Sequence, residues 1–92
     1  MYPWEENFEA DSTFDFHLLG KLDPYDIERY LFEFIEDSYL KNDKRVLVIT
    51  GKGRVVRPIV EKLLKNHKYV KHFKTAGYFT GGMGAFEIDL IR

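Results

Sequence analysis

Apolar and polar positions alternate near both ends of the chain and recur at helical spacing in between. Residues 13–18, TFDFHL, put Phe14, Phe16 and Leu18 on one side and Asp15 and His17 on the other, the two-residue period of a strand. Gly20 ends that strand. Asp23-Pro24 is a helix start, an aspartate cap followed by proline at the first helical position. Ile27, Leu31, Phe34, Ile35 and Ser38 then follow the 3.6-residue period, with Asp26, Glu28, Arg29, Glu33, Glu36 and Asp37 outside, to an end near Lys41-Asn42. Residues 46–50, VLVIT, are nearly continuous in apolar character, as a central strand buried on both faces requires. Gly51-Lys52-Gly53 breaks the run. A second helix turns Val56, Ile59, Val60, Leu63 and Leu64 inward and Arg57, Glu61, Lys62 and Lys65 outward. Pro58 fits only its first turn, so it starts at Val55 or Val56. Two more strands follow at about 70–79 and 84–91. In the last, Phe86, Ile88 and Leu90 alternate with Glu87 and Asp89. Gly81, Gly82 and Gly84 allow the turn between them to take positive φ.

The order β-α-β-α-β-β predicts an α/β fold with a four-stranded mixed sheet and two helices. Strands separated by helices imply parallel pairing through right-handed crossovers, and the final hairpin supplies one antiparallel strand.

Ninety-two residues make one domain. Residues 1–12 carry no period and read as an N-terminal extension to a domain at 13–92. Within the extension, Tyr2, Trp4 and Phe8 stand among glutamates, either as a plain extension or docked on the domain or a partner. With 45% hydrophobic and 32% charged residues the chain is not composed like a disordered one. No stretch approaches the length needed to cross a bilayer, and MYPWEENFEADS lacks the basic start and apolar core of a signal peptide. The absence of cysteine excludes disulfide scaffolds, thiolate metal sites and cysteine nucleophiles. A cytoplasmic protein is the expectation.

A net charge of −1 hides an asymmetry. Residues 1–43 hold twelve acids and three bases, and residues 44–92 hold three acids and eleven bases. Either opposite charges meet within the monomer, or one basic surface is offered to an anion.

Two constellations could carry chemistry. Asp15 and His17, at i and i+2 of a strand, project from one face, where an acid can orient an imidazole for proton transfer; the alternative is a polar edge face. Thr50-Gly51-Lys52-Gly53-Arg54 with Arg57 lies between a buried strand and a helix. There glycines let a ligand approach the backbone, and the helix N-terminus and three cations favour phosphate; the alternative is a tight turn with solvated charges. The glycine spacing and the residue after Lys52 do not make a P-loop, so triphosphate hydrolysis is not indicated. Both segments follow parallel strands and belong at one sheet edge, as phosphodiester cleavage would need. Three weaker signals remain. Lys62, Lys65, Lys68, Lys71 and Lys74 recur every three residues, as a phosphate-tracking surface or a solvated face. His17, His67 and His72 have no metal-like spacing. Tyr78-Phe79 either stack on bases or pack on the protein.

These segments together resemble the small MutS-related (Smr) domain over about residues 13–91. Phe14-Asp15-Phe16-His17 is similar to the family's L-D-L-H-G signature. Thr50-Gly51-Lys52-Gly53 with Val56-Arg57-Pro58 is similar to its H-G-K-G segment and the L-R that opens the next helix. Residues 81–90 are similar to its glycine-rich turn and last strand. Three departures stand out: Leu18-Leu19 follow His17 where the family has glycine, Thr50 replaces the histidine before G-K-G, and the loop before Arg57 is one residue shorter.

The resemblance implies a two-layer α/β sandwich like the C-terminal domain of bacterial translation initiation factor three. It also implies nucleic-acid binding, with DNA-nicking or RNA-endonuclease activity in several members. It places catalysis on Asp15 and His17 and nucleic-acid contact on Gly51, Lys52 and Gly53; the residues beside them add Thr50, Arg54 and Arg57. A divalent cation, magnesium or manganese, could assist near Asp15. The first expectation is therefore an endonuclease for RNA or structured DNA. The alternatives are a binding module for nucleic acid or a ribosomal assembly with a decayed catalytic motif, and a protein–protein adaptor using the acidic first helix and the aromatic N-terminal extension.

Overall fold

The strand that the VLVIT run predicts lies in the middle of the sheet. In the computed structural model, which describes residues 8–92, β1 (Ser12–Asp15) pairs in parallel with β2 (Arg45–Ile49). On its other side β2 pairs antiparallel with β4 (Ala85–Leu90), and β4 pairs antiparallel with β3 (Val70–Thr75), giving the order β1-β2-β4-β3. β2 is buried on both faces, with Val46 and Val48 in one core and Leu47 in another. The parallel pairing holds for β1 and β2. β2 and β3 run in the same direction but do not pair, because β4 lies between them. Ala85, Phe86, Glu87 and Ile88 are all buried, and a strand covered on both faces belongs inside a sheet rather than at its edge.

Two helices, α1 (Pro24–Leu40) and α2 (Val56–Lys65), cover one face. Asp23 caps α1, its carboxylate accepting the Asp26 N–H at 2.8 Å, with Pro24 in the first turn. Ile27, Leu31 and Ile35 of α1 and Val60 and Leu64 of α2 meet Val46, Val48, Phe86, Ile88 and Leu90 of the sheet in the main core. α1 ends where Asn42 turns left-handed at φ +69. The opposite sheet face has a smaller core of Leu47, Ala76 and Ala85, partly covered by Phe8, Ala10 and Ile49. The segment before β1 is tied to the sheet by Asp11, whose Oδ2 accepts the N–H groups of Lys44 and Arg45. The reading of Tyr2 and Trp4 concerns positions outside the described residues. Among the described residues no helix is long and apolar enough to cross a membrane.

The first strand departs from the alternation. It stops at Asp15, and Phe16–Leu19 form a single-turn 3-10 helix. The Asp15 carboxylate accepts the His17 N–H at 2.8 Å, a local bond that competes with strand pairing and starts the turn. The turn drops Phe16 into the core and leaves Leu18 79% exposed, where alternation had put it inside. It also removes the basis for reading Asp15 and His17 as side chains on one strand face.

Candidate nucleic-acid interface

Three segments meet at the carboxyl edge of β1 and β2. The 3-10 turn with His17 leaves β1, the loop 50–55 leaves β2, and the glycine-rich loop 77–84 enters β4. The sheet sets them side by side, because Asp15 is in register with Ile49, and Ile49 with Ala85.

The loop after β2 is held by a single carbonyl. Gly84 O accepts both the Thr50 N–H at 2.8 Å and the Gly51 N–H at 3.0 Å. The Thr50 hydroxyl is buried and donates inward, 2.7 Å from Gly51 O. Thr50 therefore latches the loop rather than offering its hydroxyl outward. Gly51 sits at φ +75, a conformation that favours glycine. A Cβ there would lie 3.1 Å from His17 Cδ2, so the imidazole lies next to the loop. The two constellations read from the sequence thus come together, but through His17 and Gly51.

Asp15 takes a different part from the expected one. Its Oδ1 accepts the backbone N–H of His17, so it fixes the turn that carries the imidazole rather than the ring itself. Among the described residues no three His, Asp or Glu side chains form a group that could hold a metal ion. A divalent cation near Asp15 would therefore need most of its ligands from substrate phosphates and water.

Lys52, Gly53 and Arg54 are exposed, and neither Lys52 nor Arg54 pairs with a carboxylate among the described residues. Val55 enters α2 with no side-chain cap and no acid in the first turn, so the end of the helix keeps its positive character beside these cations. Arg57 is not the outward side chain the helical period predicts. Its guanidinium lies 4.2 Å above the Phe86 ring, and Nη2 donates to Thr75 Oγ1 at 2.8 Å. Nη1 is buried with no hydrogen-bond partner among the described residues. A planar, weakly hydrated cation can stack on an aromatic face, and here it becomes a fixed charge held against β3 and β4.

The lysine run does not form one surface. Lys62 borders a groove between the helices and Lys74 lies on the open sheet face. Lys65 pairs with Glu61, and Lys74 with Glu87. His67 packs edge-on against Phe32 at 4.8 Å, and His72 pairs with Asp89 at 2.9 Å. Burial lowers the pKa of His67 from its ordinary value, Glu36 partly opposes this, and Lys68 adds to it.

Tyr78 and Phe79 do not pack on the sheet. They project from the loop 77–84, 89% and 94% exposed. Sequence reasoning missed what holds them there. Glu87 reads as an outward position of a terminal strand, yet it is buried; its Oε2 accepts the Gly77 N–H at 2.8 Å and the Thr80 hydroxyl at 2.6 Å. No pattern along the chain links an acid in β4 to a loop ten residues earlier.

The sequence pattern of the Smr domain matches residues 18–91. The chain is 34% identical over 67 residues to Endonuclease MutS2 of Clostridium botulinum (strain Eklund 17B / Type B), a match covering 72% of this chain and 8% of that protein. It is 44% identical over 61 residues to Endonuclease MutS2 of Streptococcus pyogenes serotype M49, again covering 8% of that protein. The chain thus spans about a twelfth of the length of these relatives (8%). The Smr domain of Thermus thermophilus MutS2 superposes with a TM-score of 0.78 at 21% identity, covering 88% of this chain and 99% of that one. YdaL, a stand-alone small MutS-related protein from Escherichia coli, superposes with a TM-score of 0.75 at 26% identity, covering 87% of this chain and 64% of that one.

Proposed function

The chain belongs to the Smr domain family, and on that premise we propose that residues 13–92 are a cytoplasmic nucleic-acid-binding domain that cleaves phosphodiesters in RNA or structured DNA. The observation that carries this reading is the juxtaposition of the His17 ring and Gly51. It sets a group able to take or give a proton beside a loop whose two cations pair with no carboxylate among the described residues, and beside a helix end with no side-chain cap. In this reading Lys52 and Arg54 hold phosphate oxygens, Gly51 and Gly53 let the strand approach the backbone, Thr50 keeps the loop closed, and Arg57 supplies a fixed positive charge. His17 moves the proton at the attacking or leaving oxygen. Asp15 is a positioning residue that holds the turn. Selection by shape suits the site, since its cations would meet phosphates rather than base edges. Its relatives are named endonucleases, which supports the reaction class.

A second reading, a binding module without catalysis, is favoured by the engagement of Asp15 with the backbone, which leaves the imidazole without that orienting carboxylate. One experiment separates the two. Labelled single-stranded RNA, duplex DNA and branched DNA are incubated with the protein, with and without magnesium or manganese, beside Lys52→Glu and His17→Ala. Cleavage by the wild type and not by His17→Ala supports the nuclease. Salt-sensitive binding, weakened in Lys52→Glu and never followed by cleavage, supports the binding module. Absence of binding at low salt overturns both and points to a protein partner.

A further inference from the structure

Two large aromatic rings stand side by side in solvent at the edge just described. Tyr78 and Phe79 are 89% and 94% exposed, and their rings meet edge to face with centroids 5.2 Å apart. Each forgoes the burial that usually positions an aromatic side chain. What holds them is the backbone beneath. Glu87 grips Gly77 and Thr80 from below. Gly77 O accepts the N–H groups of Thr80 at 3.0 Å and Gly82 at 2.9 Å. Gly81 closes the loop at φ +117, where a Cβ would come within 2.8 Å of the Ala85 Cβ. The rings are thus exposed on a loop tied down at four points, which is pre-organisation rather than a frayed end.

The far end of the same loop is Gly84, whose carbonyl holds Thr50 and Gly51. The ring-bearing loop and the cationic loop are therefore one hydrogen-bonded unit. Near its base Arg57 is fixed between Thr75 and Phe86. A ligand that fits this unit must carry both negative charge and flat apolar faces. A strand with unpaired bases carries both along its length. A regular duplex offers the phosphates but keeps its base faces stacked on one another.

We propose that Tyr78 and Phe79 are a stacking platform for unpaired nucleobases, so that the ligand of this site is single-stranded nucleic acid or an unpaired segment within a folded one. This rests on the phosphate-binding reading of the loop 50–54 and adds to it the part of the ligand that is not phosphate.

The test separates bases from phosphates. Affinities of the full chain are measured by fluorescence anisotropy at one salt concentration for an unstructured RNA strand, a blunt duplex of it, and an abasic strand of equal length and charge. The wild type is expected to bind the base-bearing strand about 10- to 100-fold more tightly than the abasic strand, and more tightly than the duplex. Tyr78→Ala/Phe79→Ala, whose rings touch little else, is expected to fold normally by circular dichroism and to lose that gap. Tyr78→Phe/Phe79→Tyr restores it. Lys52→Glu/Arg54→Glu is expected to weaken binding to both strands while leaving the gap between them. Equal affinity of the wild type for base-bearing and abasic strands, or an unchanged gap in the double alanine variant, overturns the platform while the phosphate site stands. Failure of the wild type to bind any of the three overturns the phosphate reading, and the platform with it.

Discussion

The imidazole of His17 lies next to the backbone of Gly51, so close that a methyl group on that α-carbon would sit 3.1 Å from Cδ2. This juxtaposition joins the turn after β1 to the loop after β2, and two constraints act on Gly51 at once. Its φ of +75 disfavours any side chain, and the space a side chain would need is taken by the ring. Gly51→Ala is expected to cost about 1–2 kcal/mol for the left-handed backbone, and to displace His17 as well. Urea unfolding reads the first effect. Adding His17→Ala to Gly51→Ala should recover the part of the cost that comes from the ring and leave the backbone part. Gly84→Ala is the contrast within the same unit. Its Cβ would meet Gly51 at 3.5 Å, an ordinary contact, and no positive φ is involved, so little change is expected.

Asp15 acts on His17 through the backbone, which distinguishes a cap from a catalytic acid. Asp15→Asn keeps an oxygen acceptor for the His17 N–H and is expected to retain binding and any cleavage nearly intact. Asp15→Ala removes the acceptor and is expected to destabilise the protein by about 0.5–2 kcal/mol, as loss of a cap does, and to lower activity with it. Equal loss of cleavage in both variants, with Asn still stable, would instead assign the carboxylate a direct part in the chemistry.

The main elements were legible because each rests on a local rule. VLVIT has the unbroken apolar character of a strand covered twice, and Asp23-Pro24 followed by Ile27, Leu31 and Ile35 has both the cap and the period of a helix. The likeness of residues 18–91 to the Smr domain was legible for a related reason, since Thr50-Gly51-Lys52-Gly53 and the glycine-rich turn at 81–84 are short, local motifs. What local rules could not supply was competition. At Phe16 the two-residue period continues in the sequence, yet a side-chain bond from Asp15 bends the chain into a 3-10 turn. At Arg57 the helical period says outward, yet a flat cation found the Phe86 ring. The place of β4 between β2 and β3 depends on pairing between distant segments, which periodicity does not encode.

Glu87 is the joint on which the glycine-rich loop turns. It is 7% exposed and accepts the Gly77 N–H and the Thr80 hydroxyl on one oxygen, with Lys74 Nζ 3.9 Å from the other. Glu87→Ala leaves the Gly77 N–H without this acceptor and the Thr80 hydroxyl with only the longer bond to Gly77 O, and is expected to cost about 1–3 kcal/mol. Glu87→Gln keeps an acceptor and should cost less. Hydrogen exchange at Gly77, Thr80 and Gly82 reports the loosening directly. An Ala variant as stable as the wild type, with unchanged exchange there, would show that the loop does not depend on this carboxylate.

His67 makes stability depend on pH near neutrality. Its Nδ1 accepts the Tyr69 N–H at 3.1 Å and its ring is half-buried against Phe32. Burial disfavours the charged form and lowers its pKa from 6.5; Lys68 acts in the same direction, and Glu36 partly against it. The unfolded chain therefore takes up this proton first as pH falls. The contribution is complete above the unfolded value and declines as pH drops from about 6.5 towards the lower folded value. Asp11 gives a separate acid limb. Its carboxylate accepts two backbone N–H groups and has its pKa lowered from 3.8, so its contribution is present above that value and fades below it. Unfolding free energies measured across this range should show the decline below about pH 6.5, and His67→Gln should flatten it while leaving the acid limb.

Arg57 separates charge from packing. Its Nη1 is buried with no partner among the described residues, which opposes stability, while its stacking on Phe86 and its bond to Thr75 contribute in the opposite sense. Arg57→Met keeps a long, flexible side chain over the ring and removes the stranded donor along with the charge. The two stability effects oppose each other, so an unfolding free energy within about 1 kcal/mol of the wild type is expected. Affinity for nucleic acid has no such offset, because the fixed charge held against β3 and β4 is lost outright. Binding is expected to weaken, and the slope of log affinity against log salt to fall by up to about one unit, the signature of one lost phosphate neutralisation. Arg57→Lys keeps the charge but not the planar face, and it is expected to restore part of the salt slope while losing the contact with Phe86. A salt slope unchanged in Arg57→Met, with the protein fully folded, would mean that Arg57 serves only the packing between α2 and the sheet.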